Sequence, residues 1–147
     1  MLLTPCVYKS AEPVTVAQWT SLSGTTVAMD GSLSTVYNAK ADWDVQGTMP
    51  AELVERPVIS LQYWFANDAT NYGKKVRFLD VYYWTGTAWV LHTTLTSSTP
   101  TSGGPTAQEH VFSSPMPNPT GRIRVVGRGT WDQFSYRWVT EVTVTVK

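Results

Sequence analysis

The chain has 147 residues, a length that suits one domain with a sizeable core. Eleven acidic and eleven basic residues give no formal net charge, so binding to nucleic acid or to an anionic membrane surface is not predicted. The single cysteine, Cys6, excludes an internal disulfide and a cysteine-based metal cluster.

Residues 1–13 show little periodicity and predict an N-terminal arm before a single domain at 14–147. The apolar start of this arm is too short for a signal-peptide core or a membrane span, so no membrane partner is predicted. From residue 14, Val14 and Val16 alternate with Thr15 and Ala17, which predicts a first strand. A turn then leads into a short second strand. Residues 29–43 predict a loop because Asp, Gly, Ser, Thr and Asn dominate them, and residues 43–45 predict a brief strand.

A connection with one helical turn near residues 51–54 leads to a predicted strand at 58–65. Residues 76–95 predict a hairpin because β-branched and aromatic residues flank a Thr-Gly-Thr turn. One side of the first arm carries Phe78, Asp80, Tyr82 and Trp84. Because the other side is also apolar, this arm is predicted to be an interior strand with a layer on each side, or part of a tightly filled sandwich.

Further strands are predicted at residues 108–112, 122–126 and 138–146, with a proline-rich connection at 113–121 and a loop at 127–137. In the last strand valines alternate with Glu141 and two threonines, which predicts one solvated face. The chain therefore contains about eight strands and no convincing helix. This pattern predicts an all-β fold, an antiparallel two-sheet β-sandwich.

Several segments, in their order, carry a resemblance: the Asp-Gly loop at 28–35, the strand at 59–61, the hairpin at 81–89 whose glycine turn precedes a tryptophan, and the closing strands at 122–126 and 139–142. Together they resemble the galactose-binding-like jelly roll of discoidin (coagulation-factor type C) domains and related carbohydrate-binding modules. The resemblance spans roughly residues 14–146 and implies a jelly roll of about eight strands.

The resemblance also implies a structural calcium ion near the Asp-Gly loop, closed by a carboxylate on the last strand. The matching positions are Asp30, Thr35 and Glu141. Hard oxygen ligands of this kind suit calcium. The alternative interpretation makes Asp30 part of a simple turn and Glu141 a solvated strand residue.

The loop at 129–138 is the strongest candidate for ligand or partner binding, because loop aromatics offer flat, rigid contact area to sugar rings or to a protein. The alternative is that Trp131 and Phe134 plug the end of the sandwich. Tyr37 and Trp43 are assigned to the same surface. Trp43 lies between Asp42 and Asp44, which we interpret first as polar loop residues, then as sugar contacts, and last as hydrolytic groups. The predicted contacts are Trp131, Asp132, Phe134, Tyr136, Arg137, Trp43 and Tyr37.

Arg122 and Arg124 share one strand face, and Arg128 follows shortly after. A solvated face is the simplest interpretation. The alternative is a cluster that binds phosphate, sialic acid or a neighbouring subunit, since arginine forms bidentate contacts with such groups.

No catalytic motif is present, and the only histidines, His92 and His110, are interpreted as structural or surface residues. The chain is therefore predicted not to be an enzyme. The first functional hypothesis is a structural or attachment component of a virus particle: a capsid decoration, neck or fibre protein of a tailed bacteriophage. Such a protein is made in the host cytoplasm and binds other virion proteins, copies of itself in a homo-oligomer, and cell-surface glycan. The alternative is an extracellular carbohydrate-binding module of a secreted protein.

Overall fold

The computed structural model of the chain describes residues 12–17, 19–24, 26–29, 31, 37–65, 74–99, 107–131 and 137–147. These ranges form eleven strands and two short 3-10 helices, the latter at Thr26–Met29 and Ala51–Leu53. None of the helices in these ranges has the length and hydropathy to cross a membrane. The predicted arm lies almost wholly outside them, so it stays a prediction.

The strands are β1 (Val14–Val16), β2 (Thr20–Gly24), β3 (Tyr37–Ala39), β4 (Trp43–Thr48), β5 (Val58–Trp64), β6 (Val76–Trp84), β7 (Trp89–Thr96), β8 (Ala107–Met116), β9 (Arg122–Thr130), β10 (Arg137–Val139) and β11 (Glu141–Val146). They form a four-stranded sheet in the order β1-β11-β5-β8, a five-stranded sheet in the order β2-β4-β9-β6-β7, and the pair β10-β3. All these pairings are antiparallel. The prediction of an all-β antiparallel sandwich is confirmed.

Two local differences add strands to the predicted number of about eight. The strand predicted at 138–146 is divided at Thr140 into β10 and β11, and β3 forms inside the predicted loop at 29–43. In addition, β9 continues to Thr130 and β8 to Met116, where connections were predicted. Each extension follows a partner strand, since pairing with β6 reaches Thr130 and pairing with β5 reaches Met116.

The core lies between the inner faces of the two large sheets. Alternate residues of the central strands are fully buried there, as the period of a strand requires. From the five-stranded sheet these include Val45, Leu79, Val81, Ile123 and Val125, and from the four-stranded sheet Leu61, Tyr63, Val142 and Val144.

Trp43 belongs to this core, so its assignment to a binding surface is wrong. Its side chain is 0% exposed, and its ring lies against the backbone of Gly127, the residue paired with it on β9. A Cβ atom at Gly127 would stand 2.1 Å from the indole, so the contact exists only because position 127 has no side chain. On the other side the Tyr63 ring packs at a centroid distance of 5.7 Å.

The first hairpin arm, β6, is an interior strand of its sheet, between β9 and β7. Of the two interpretations of this arm, the tightly filled sandwich agrees with the structure, and a layer on each side does not for the described residues. On the outer side, arginine side chains rather than another sheet cover the aromatic rings: Arg128 lies 4.7 Å from the centre of Phe78, and Arg124 lies 5.3 Å from that of Tyr82.

The prediction that the last strand has one solvated face is also wrong. Glu141 and Thr143 are 1% and 4% exposed. The Thr143 hydroxyl donates to Gln62 Oε1 at 2.8 Å and accepts from the Trp64 indole at 3.3 Å. Neighbouring side chains on β5 therefore cover the polar face of β11.

Lys75 is a buried cation directly before β6, with 2% exposure. Its ammonium group donates to Ser98 Oγ at 2.9 Å and lies 4.1 Å from the centre of the Phe65 ring. Burial lowers the pKa of Lys75 to about 8, because the charged form loses its hydration. Burial and the nearby Lys75 charge together lower the pKa of His110.

We expect Gly127→Ala to lower the free energy of unfolding by about 3 kcal/mol, because the new methyl group displaces the Trp43 ring from a close-packed core. Chemical denaturation followed by fluorescence measures this. Gly86→Ala is the control, because nothing lies within 4 Å of its Cβ position. Its φ of 105° leaves backbone strain as the only cost, which lowers the free energy of unfolding by about 1 kcal/mol. Equal losses in the two variants would contradict the packing role of Gly127.

We expect stability to rise with pH between about 8 and 9.5 in the wild-type chain and to rise less in Lys75→Met. The pKa of Lys75 in the folded chain, about 8, is below its ordinary 10.5, so in this window the unfolded chain binds more protons. The cost of the buried charge is complete below pH 8 and is relieved as pH rises. Urea unfolding at several pH values measures the slope, and parallel curves for the two proteins would contradict this account.

Candidate functional site

One end of the sandwich gathers the strand ends that border the predicted binding segments. In the five-stranded sheet, the start of β6 at Val76 faces Thr130 at the end of β9. In the other sheet, Trp64 at the end of β5 faces Glu141 and Ala107, which begin β11 and β8. The Tyr63 hydroxyl accepts a hydrogen bond from the Val76 amide at 3.2 Å, which places both sets of strand ends together. We call this the loop end, defined by residues 37–42, 74–76, 97–99, 128–131 and 137–141.

The pair β3-β10 is built at the loop end from a segment inside the predicted loop at 29–43 and a segment at the end of the predicted loop at 127–137. Val139 is paired with Tyr37, and Arg137 is paired with Ala39. The Arg137 guanidinium forms an ion pair with Asp42 at 2.7 Å and donates to the Lys40 carbonyl at 2.8 Å. The structure therefore brings the strand position of Tyr37 and the side chain of Arg137 to the same end. Asp42 also accepts from the Gly129 amide at 3.3 Å.

Trp131 directly follows β9 and is partly exposed. Its indole N–H donates to Ser97 Oγ at 2.9 Å, and the Ser97 hydroxyl donates in turn to the Val76 carbonyl. The Arg77 guanidinium lies 5.0 Å from the centre of the indole ring. These contacts fix the ring at the surface of the loop end, so it is neither a member of the buried core nor an unrestrained loop residue.

The other predicted contacts in this loop, Asp132, Phe134 and Tyr136, lie outside the described residues, as do the predicted calcium ligands Asp30 and Thr35. Their roles stay predictions. The third ligand, Glu141, is buried at the start of β11, so its interpretation as a solvated residue is wrong. The 3-10 helix that ends one residue before Asp30 packs against β11. No group of three His, Cys, Asp or Glu side chains suited to a metal ion occurs within the described ranges.

The loop end offers hydrogen-bonding groups and an aromatic face, and neither histidine of the chain is among the residues that define it. His92 Nε2 contacts the Ser114 carbonyl at 2.9 Å, and His110 Nε2 has no hydrogen-bond partner among the described residues. A general base must hydrogen-bond to the group that it activates. Sequence reasoning missed Asp42 as the partner of Arg137, since no spacing rule links positions 95 residues apart in sequence (137 minus 42).

No protein-family model matches the chain, and no curated protein matches its sequence. Solved structures do match. The family 32 carbohydrate-binding module of Clostridium perfringens NanJ, solved in complex with galactose, has a TM-score of 0.66 and 13% identity, covering 91% of this chain and 99% of that one. Another family 32 module, from a family 31 glycoside hydrolase of Clostridium perfringens, has a TM-score of 0.68 and 11% identity, covering 95% of this chain and 100% of that one.

An F5/8 type C domain from Bacteroides fragilis has a TM-score of 0.60 and 16% identity, with 88% of this chain and 97% of that domain covered. The predicted resemblance to discoidin-type domains and carbohydrate-binding modules is confirmed at the level of the fold. The chain has the β-sandwich fold of family 32 carbohydrate-binding modules and F5/8 type C domains.

Proposed function

We propose that the protein is a non-catalytic glycan-binding module that holds its ligand at the loop end. The observation that carries this proposal is the likeness to carbohydrate-binding modules over nearly the whole chain, combined with the position of Trp131 and Arg137 at one end of the sandwich. The matched neighbours are themselves binding modules, which supports a binding role rather than catalysis.

In this proposal the Trp131 ring is the platform on which one face of a sugar stacks. Its indole N–H is already bound to Ser97, so the ring keeps one orientation and loses little entropy on binding. Asp42, whose side chain is 50% exposed, and Arg137 provide an acceptor and donors for sugar hydroxyls. Tyr37, Asp132, Phe134 and Tyr136 are proposed as the remaining contacts from the adjoining segments.

The proposed ligand class is a neutral hexose at the end of a cell-surface glycan. The NanJ module was solved with galactose, and this supports a galactose-type sugar as the first to test. Asp42 and Arg137 already neutralise each other across 2.7 Å, so this pair offers hydrogen bonds but no net charge to a sugar.

We also propose that a calcium ion organises the segment before β3, with Glu141, Asp30 and Thr35 as ligands. The buried carboxyl group of Glu141 fits this role, because an oxygen ligand enclosed by protein suits a hard cation. The 3-10 helix that leads to Asp30 packs on the strand that begins with Glu141, which supports a ligand set drawn from these two segments. The ion supplies rigidity to the loop end.

A role in a virus particle has no support in the comparisons, whose neighbours are carbohydrate-binding modules. The predictions of virion partners, of a homo-oligomer and of a virion location stay predictions. The alternative hypothesis, a carbohydrate-binding module, is the one that the fold favours.

We expect Trp131→Ala to weaken galactose binding at least tenfold, because the stacking platform is lost, which corresponds to about 1.4 kcal/mol. Isothermal titration with galactose and with lactose measures the affinity. Trp131→Phe keeps a flat ring and should lose less. Leu91→Ala, which trims a side chain 50% exposed on the five-stranded sheet, is the control and should bind as wild type. Unchanged binding by Trp131→Ala would contradict the proposed platform.

We expect calcium to raise the melting temperature of the wild-type chain and EDTA to lower it, with little effect of either on Glu141→Gln. An ion at a hundred times its dissociation constant stabilises the folded state by about 2.7 kcal/mol. Differential scanning calorimetry measures the shift, and magnesium at the same concentration is the control because it prefers a smaller, octahedral site. A wild-type melting temperature that is independent of calcium would contradict the proposed site.

A further inference from the structure

The outer side of the five-stranded sheet carries arginine side chains stacked over aromatic rings. Arg124 on β9 is paired with Tyr82 on β6, and its guanidinium lies 5.3 Å from the centre of that ring. Arg128 is likewise paired with Phe78, at 4.7 Å. This surface faces away from the core, and stacking of this kind shields aromatic rings that no second layer covers in the described part of the chain.

In both of these stacks the guanidinium also donates hydrogen bonds to a carboxylate. Asp44 accepts from Arg124 Nε at 3.0 Å and from Nη2 at 2.6 Å. Asp80 accepts from Arg128 Nε at 2.6 Å and from Nη2 at 3.3 Å. The recurring unit on this face is therefore an aromatic ring, a stacked guanidinium and a carboxylate bound to its fork, which is the geometry that arginine prefers.

Arg122 also stacks on aromatic rings, but it has no carboxylate partner among the described residues. Its guanidinium lies 4.9 Å from the centre of the Trp84 ring and 5.6 Å from that of Trp89, and the two indoles are paired across the hairpin with centroids 5.2 Å apart. No carboxylate of the described residues forms an ion pair with Arg122. Its Nε is buried and has no hydrogen-bond partner in the described part of the chain.

The cluster of Trp84, Trp89 and Arg122 lies at the opposite end of the sandwich from the loop end. Trp84 ends β6 and Trp89 begins β7, and the turn between them is exposed. The Thr120 hydroxyl donates to the Trp84 carbonyl at 2.9 Å, which holds the end of β6 against the connection before β9. The indoles are partly exposed and fixed by two strands, so they form a rigid surface before any ligand arrives.

We propose that Trp84, Trp89 and Arg122 form a second ligand site, which takes the carboxylate of an acidic sugar such as a uronate. The carboxylate would accept from the Nη groups of Arg122, because Nε is buried, and the sugar ring would lie against an indole. Charge selects the ligand, because a neutral sugar offers only hydroxyl acceptors to the guanidinium, whereas a carboxylate also neutralises its charge. A protein carboxylate would satisfy Arg122 but would leave the exposed parts of the indoles uncovered, so a sugar fits the whole cluster better. This site does not depend on the loop end.

The test is an NMR titration of the indole N–H signals, assigned with Trp84→Phe and Trp89→Phe. The probe is trigalacturonic acid, and the neutral control is a galactose trimer. We expect the acidic trimer to shift the Trp84 and Trp89 signals saturably and the neutral trimer to leave them in place. Equal shifts with the neutral trimer would overturn the proposal, and so would shifts confined to other indoles.

Arg122→Gln should weaken binding of the acidic trimer about tenfold or more, since the charged, bidentate contact is lost. Arg122→Lys, which keeps the charge but loses the planar fork, should lie in between. Arg56→Gln removes a positive charge elsewhere, beside the Lys147 carbonyl, and should bind as wild type. Preserved signal dispersion shows that each variant is folded. Equal losses in Arg122→Gln and Arg56→Gln would indicate bulk charge and overturn the site, as would equally strong binding of a triglutamate peptide.

Discussion

The structure depends on a buried contact between the two sheets, made by the Trp43 indole, the Tyr63 ring and the bare backbone of Gly127. The Tyr63 hydroxyl donates to the Trp138 carbonyl and accepts from the Val76 amide, so one phenol holds β5, β6 and β10. Burial raises the pKa of this phenol, and the hydroxyl therefore stays a donor throughout the physiological range. Because this contact lies beneath the loop end, packing in the core determines where Trp131 and Arg137 stand.

The two sides of the five-stranded sheet are packed differently. The inner side buries aliphatic residues against the facing sheet. On the outer side, arginine side chains stack on partly exposed aromatic rings. Arg124 and Arg128 each form an ion pair with an aspartate on this side. Arg122 has no such partner among the described residues, and the proposed second ligand supplies the carboxylate there. The sandwich thus offers two chemically distinct surfaces, one built around an ion pair at the loop end and a cationic, aromatic one at the opposite end.

Most strands could be predicted because period-two alternation and β-branched composition report burial directly, as at β5, β6 and β7. The register of β3 could not, because three residues gain strand structure only from their pairing with β10, a long-range contact. The flanking aspartates of Trp43 suggest a surface loop, whereas its burial depends on Gly127 across the sheet.

The burial of Lys75 could not be predicted from the local sequence either, since the adjacent Lys74 has the same side chain. In the site, Trp131 and Arg137 could be located from composition, because aromatic and basic residues are concentrated in one loop. The partners that orient them, Ser97 and Asp42, are set by topology alone.

The most direct test of a glycan site at the loop end is amide chemical-shift mapping of the isotopically labelled chain during titration with lactose. The account predicts that the largest shifts fall in residues 37–42, 97–99, 128–131 and 137–141, and that residues 85–88 and 117–121 at the opposite end do not respond. Saturable shifts that are largest at the opposite end, with the loop end unperturbed, would contradict it.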